Sequence, residues 1–144
     1  MGADLSLQSP SLSILETVLY AHDLAAIEDF YRRVLGLEPF AVVPGRHVFY
    51  RCGDQMLLIF NPSATRKSPS PGALPVPPHG MDGQGHVCFR VSAEELVEWQ
   101  SKLAALGIEI EASFEWPKGG HSIYFRDPAG NCLEFAEARI WGIG

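Results

Sequence analysis

Cysteine, positive charge and long apolar runs are all scarce in this chain of 144 residues. Cys52, Cys88 and Cys132 are odd in number and none belongs to a Cys-x-x-Cys pair, so reduced thiols are expected rather than a disulfide framework. Lys and Arg number 11 against 17 Asp and Glu, a net charge of -6. No basic footprint exists for nucleic acid or an anionic membrane surface, and neither is expected as a partner. No apolar run is long enough to span a bilayer, and no charged-then-apolar leader opens the sequence, so a cytoplasmic location is expected. Met1 to Ser6 fits the loose acylation pattern of an amino-terminal glycine, a match too short to carry weight. What is present suits a globular protein: 47% of residues are hydrophobic and 19% charged, enough for one domain or two half-domains sharing a core.

The most informative stretch is Gly119 to Glu137. Ser122 to Phe125 and Cys132 to Ala136 alternate and are rich in strand formers, and Asp127-Pro128-Ala129-Gly130-Asn131 between them is strong turn chemistry. Glu134 sits in mid-strand and points to the face opposite Leu133 and Phe135. A carboxylate there is either on a wet face or held by something positive, such as a metal.

Taken in order, Ile14 to Ala21 reads as a strand. Asp23 caps a helix whose apolar stripe is Leu24, Ile27, Phe30, Tyr31, Val34 and Leu35, with Gly36 closing it. Phe40–Val43, His47–Arg51 and Gln55–Phe60 form a meander. Asn61 to Gly85 is rich in Pro, Ser and Gly and reads as a connection, either a mobile linker or a flap over a site. The first pattern then repeats. His86 to Val91 is a strand, and Ser92 and Glu95 have capping-box spacing before a helix buried through Leu96, Trp99, Leu103 and Leu106. Gly107 ends that helix, and Ile108 to Ile110 is expected to open a second meander. The chain is therefore βαβββ twice, and the two halves are expected to pair about a pseudo-twofold axis.

Overlaying the halves makes Glu16 and His86 repeat equivalents, each opening its strand ahead of a capped helix, and pairs Leu58 with Glu134. The axis is expected to bring these four positions together. Three of them are metal-ligand types.

These marks resemble the vicinal oxygen chelate superfamily, which joins glyoxalases, bleomycin-resistance proteins and ring-cleaving dioxygenases. They are Asp23-Leu24, Phe30-Tyr31 and Leu35-Gly36 in the first half. In the second they are Gly85 to Phe89, Phe125 to Asn131 and Leu133 to Phe135. The resemblance implies an α+β fold. Two paired βαβββ modules would form a curled mixed sheet with a concave pocket, the helices on the outer face. A loose tail (1–11) would precede one domain (12–138), made of modules 12–61 and 84–138 and the connection 62–83. It implies one divalent ion held by Glu16, His86 and Glu134, and in many members a homodimer. It departs from the family pattern in two places: Glu16 stands where His is usual, and Leu58 where lyases carry a fourth ligand. One imidazole and two carboxylates suit harder ions, with Mn²⁺, Fe²⁺, Zn²⁺, Ni²⁺ and Mg²⁺ all open.

Alternation puts Cys88 and Arg90 on the face of His86, where Arg90 would meet either an anionic substrate or Glu16. His47, Leu58 and Tyr124 complete the expected pocket. Glu134 and Glu16 are candidate bases. His121, after Lys118-Gly119-Gly120, is a weaker acid–base candidate at the rim, although a surface position is the simpler reading. Two functions fit: a metal-dependent glyoxalase-like enzyme (lyase, isomerase or dioxygenase) acting on a small oxygen-chelating substrate, or a metal-free protein that sequesters a small molecule.

Overall fold

A computed structural model describes residues 9–144. Most of the expected tail, with the acylation pattern, lies outside the described residues. The first module comprises β1 (Glu16–Tyr20), α1 (Leu24–Arg33), β2 (Pro39–Val43), β3 (His47–Cys52) and β4 (Gln55–Phe60). The second comprises β5 (His86–Arg90), α3 (Ala93–Ala105), β6 (Ala112–Glu115), β7 (His121–Arg126) and β8 (Cys132–Ala136). Between them stands the short helix α2 (Pro62–Thr65).

Each module builds a four-stranded mixed sheet, in the orders β1-β4-β3-β2 and β5-β8-β7-β6. β1 runs parallel to β4 and β5 to β8, because a helix carries the chain back before each meander. The remaining pairings are antiparallel. The expected double βαβββ, α+β architecture is what forms.

The helices begin where capping chemistry puts them. The Asp23 carboxylate accepts from the Ala26 N–H at 3.1 Å. Ser92 and Glu95 form a reciprocal capping box, at 3.1 and 2.9 Å. Gly36 and Gly107 leave the helix ends at φ +69° and +70°, conformations that a Cβ disfavours. Leu24, Ile27, Phe30 and Tyr31 of α1, and Leu96 and Leu103 of α3, are buried. They join Leu19, Val48, Tyr50, Leu57, Ile59, Ile123, Phe125, Leu133 and Phe135 in one core shared by both modules.

Two expectations change. Ile108 and Ile110 do not open the second meander. The Ile108 N–H bonds back to the Leu103 carbonyl at 2.9 Å, so the helix end holds this segment, and both side chains half-bury against the core. The connection also contains an element. Asn61 caps α2 by accepting from the Ser63 N–H at 3.0 Å, and Pro62 takes the first helical position, a start signal that the surrounding Pro and Ser content masked.

The modules are tied by the β7–β8 turn. The Tyr31 hydroxyl of α1 donates to the buried Asp127 carboxylate at 2.7 Å. The Asn131 side chain donates to the Tyr20 carbonyl at 3.2 Å and accepts from the Gly85 N–H at 2.7 Å. Tyr31→Phe, which leaves Asp127 short of a donor, is expected to lower stability by about 1–3 kcal/mol. The urea midpoint should fall at constant slope; an unchanged midpoint would show that this link adds nothing net.

Candidate functional site

The helices cover one face of each sheet, and the alternate residues form the other. In the second module that open face carries His86, Cys88 and Arg90 of β5, Glu134 of β8 and Tyr124 of β7. Cys88 lies opposite Glu134, and Glu134 opposite Tyr124, in the strand register.

The centre of this face is an imidazole–carboxylate pair. His86 Nδ1 lies 2.8 Å from the Cys132 carbonyl, which can only accept, so Nδ1 carries the proton in that bond. This turns Nε2 toward Glu134 Oε1, 3.2 Å away. A neutral ring oriented this way presents a lone pair to a carboxylate, and only a cation between them, a proton or a metal ion, makes the approach favourable. Glu134 is 5% exposed, and its Oε2 is buried without a hydrogen-bond partner. Burying a carboxylate this way is costly unless something positive reaches it. The carbonyl-oriented imidazole and the orphaned oxygen both fit a divalent ion, the carbonyl acting as the outer partner that aims a ligating histidine.

The neighbours are held neutral. The Tyr124 ring stacks against His86 with centroids 6.3 Å apart. Burial and the Glu134 carboxylate push its phenol up to about 12. Cys88 is exposed as a residue, yet the sheet around its sulfur and the Glu134 charge push the thiol up to about 12.

The strand registers support the repeat overlay. Glu16 pairs with Met56 as His86 pairs with Cys132, and Leu58 pairs with Val18 as Glu134 pairs with Cys88. Among the described residues no three His, Cys, Asp or Glu side chains are placed to hold a metal, so Glu16, exposed at the start of β1, does not join His86 and Glu134. The two modules share one core.

The remaining candidates separate. Cys88 and Arg90 line a cavity of about 550 Å³ with Thr17 and Met56, where the module edges approach. The Arg90 guanidinium donates to the Gly144 carbonyl at 3.4 Å, and among the described residues no ion pair joins it to Glu16. His121 shares the face of Ile123 and Phe125, opposite Tyr124, and lies 2.8 Å from the Ser113 hydroxyl. His47 and Leu58 belong to the open face of the first module, where His47 stacks on Phe49. Sequence reasoning missed one participant: the Cys132 carbonyl leaves no side-chain signal.

Two βαβββ modules with an imidazole–carboxylate pair on an open sheet face define a two-module α+β protein with a candidate metal half-site. The chain belongs to the Glyoxalase/Bleomycin resistance protein/Dioxygenase superfamily, whose description matches residues 13–135. It is similar to the crystal structure of a lactoylglutathione lyase from Agrobacterium tumefaciens, at 46% identity and a TM-score of 0.86, over 94% of this chain and 100% of that one. A glyoxalase/bleomycin resistance protein/dioxygenase from Nocardioides shares the fold at 24% identity and a TM-score of 0.71, covering 92% and 87%. A glyoxalase/bleomycin resistance protein from Catenulispora acidiphila does so at 20% and 0.62, covering 87% and 97%. Against curated proteins no match is found. No helix among the described residues is long and apolar enough to cross a membrane.

The Glu134 charge gives a test by thiol chemistry. In metal-free protein at pH 8, Cys88 should react with iodoacetamide far more slowly than an unperturbed cysteine, read by peptide mass. Removing the anion lowers the thiol's proton affinity, so Glu134→Gln should speed the reaction severalfold, by roughly the thiolate gain from losing one nearby negative charge. An unchanged rate would mean that the carboxylate does not reach the sulfur.

Proposed function

We propose that this protein is a metal-dependent lyase or isomerase of the glyoxalase type, acting on a small substrate that offers two adjacent oxygens. The observation that carries the reading is His86 Nε2, aimed by the Cys132 carbonyl at a buried carboxylate whose second oxygen has no partner. The 46% identity to a protein named lactoylglutathione lyase supports an α-hydroxyacyl thioester, whose carbonyl and hydroxyl oxygens are adjacent, as the substrate class.

His86 and Glu134 would hold the ion. Glu16 lies outside that pair within one chain, so a homodimer that supplies Glu16 from a second copy is the arrangement that unites all three. A divalent ion there supplies positive charge against oxyanion character on the substrate, with Mn²⁺, Fe²⁺, Zn²⁺, Ni²⁺ and Mg²⁺ all compatible with the donor set. The chain's own residues divide the remaining work. Tyr124 and Cys88 keep their protons at neutral pH, which leaves Glu134 as the group able to take one from a substrate carbon. Tyr124 serves as a hydroxyl donor toward a substrate oxygen. Leu58, opposite Val18 within the first module, offers an apolar side chain at the position where a fourth ligand would stand.

Purified protein should contain near-stoichiometric divalent metal by plasma mass spectrometry, lost in His86→Ala and Glu134→Ala. Glu134→Gln is expected to lower turnover of S-lactoylglutathione, followed by thioester absorbance, by about 10²–10⁴-fold. Retention of metal by Glu16→Ala would remove Glu16 from the ligand set.

A second reading, a metal-free protein that sequesters a small molecule, is favoured by the absence of three converging ligands among the described residues. It would be preferred if the protein bound no metal after reconstitution with any of the five ions.

A further inference from the structure

A second cavity, of about 640 Å³, is built entirely from the first module and the connection. Its floor is the open face of β3 and β4, and the chain from Ala64 to His79 forms its wall. This wall is tied down at both ends. The His79 N–H donates to the Thr65 carbonyl at 2.9 Å, and His79 Nδ1 lies 2.5 Å from the Tyr20 hydroxyl. Asn61 ties the start of the segment to the Gly45 carbonyl at 3.1 Å, and Arg66 pairs with Asp82 at 2.8 Å near its end. The cavity is therefore preformed, which lowers the ordering cost of binding.

The lining has two chemistries. One is aromatic. Phe49 stacks on His47 with centroids 3.9 Å apart at 10°, Phe60 meets both edge-on at 5.3 and 5.8 Å, and His79 meets Phe60 edge-on at 4.9 Å. The other is cationic. Arg46 lies over the Phe60 ring at 5.5 Å, and Lys67 stands on the wall. No residue lining the cavity is acidic, in a chain with six more acidic than basic groups. Several other arginines find carboxylates, among them Arg32 with Glu38, Arg66 with Asp82, Arg126 with Glu111 and Arg139 with Glu137, whereas Arg51 lies over Phe40 and Arg90 donates to the Gly144 carbonyl. Among the described residues neither Arg46 nor Lys67 has a carboxylate partner. Arg46 instead donates to His47 Nδ1 at 2.7 Å. A guanidinium can only donate, so the neutral His47 ring keeps its proton on Nε2 as a further donor. Burial and the Arg46 charge lower the proton affinity of His47, which keeps it in that neutral form.

We propose that this cavity binds a small organic anion, its carboxylate met by Arg46, His47 and Lys67 and its flat apolar body lying against Phe49 and Phe60. Fixed donors around an unpaired guanidinium suit a planar carboxylate, and an aromatic floor suits a flat body. The site needs nothing from His86 or Glu134, so it stands whether or not those residues hold a metal.

Calorimetry of the full-length protein with benzoate, and with benzamide as its uncharged counterpart, tests the proposal. Benzoate should bind saturably and benzamide about tenfold or more weakly, as expected when a charge-assisted contact is lost. Arg46→Gln, with an unchanged melting temperature, should weaken benzoate about tenfold. Lys67→Gln, on the exposed wall, should weaken it severalfold and serves if Arg46→Gln does not fold. His86→Ala should leave benzoate binding intact while abolishing metal uptake, which separates failure of this site from failure of the metal reading. Equal affinity for benzamide, no saturable benzoate binding, or indifference to both cavity variants would overturn the proposal. Loss of benzoate in His86→Ala would move the anion to the other face and overturn it equally.

Discussion

The structure hangs on a carboxylate buried in a turn. Asp127 accepts from the backbone N–H groups of Ala129 and Asn131 at 2.9 and 3.0 Å, which closes the β7–β8 turn on itself. Its other oxygen accepts from the Tyr31 hydroxyl and the Asn131 amide, at 2.7 and 3.0 Å. Asn131 is thereby fixed so that its free ends reach β1 at the Tyr20 carbonyl and the residue before β5 at the Gly85 N–H. One hydrogen-bonded cluster thus sets the turn, the start of β5, and the seat of α1 against the second module. Members of such a buried network support one another, and an unpaired member is expensive. Because β8 leaves this turn directly, the cluster also determines where Glu134 arrives.

Glu134 shows the opposite economy of polar groups. Asp127 is satisfied on both oxygens by its own chain, whereas Glu134 has one oxygen toward His86 and the other buried without a partner. The two carboxylates lie seven residues apart on one hairpin, one satisfied by its own chain and the other not. Burial and the Glu134 negative charge keep its Tyr124 and Cys88 neighbours protonated.

Duplication explains how one chain carries two different open faces. The strand registers superpose Glu16 on His86, Leu58 on Glu134, Phe49 on Tyr124, His47 on Ser122 and Phe60 on Ala136. At these equivalent positions the second module carries His86, Glu134 and Tyr124, and the first carries His47, Phe49 and Phe60. The connection covers the aromatic face, and His79 packs on Phe60, while His86 stays half exposed. The core faces have kept the same role, since both must bury apolar strands beneath a helix.

Local chemistry determined much of this protein. The caps at Asp23 and Ser92, the closing glycines, the alternation through β7 and β8 and the Asp127–Asn131 turn are short-range features, set by backbone hydrogen bonding and side-chain period. The double βαβββ order and the repeat equivalence of the candidate ligands were legible for that reason. Ile108–Ile110 was misread because its apolar alternation competes with a backbone bond to the helix end. The connection was misread because composition hides the Asn61–Pro62 start signal. Tertiary structure alone decided that His86 meets Glu134 while Glu16 does not, and that His121 faces away. It alone set His79 from an irregular segment against Phe60. Equivalent register places residues within their own sheets, but the packing of one sheet against the other determines which of them share a space.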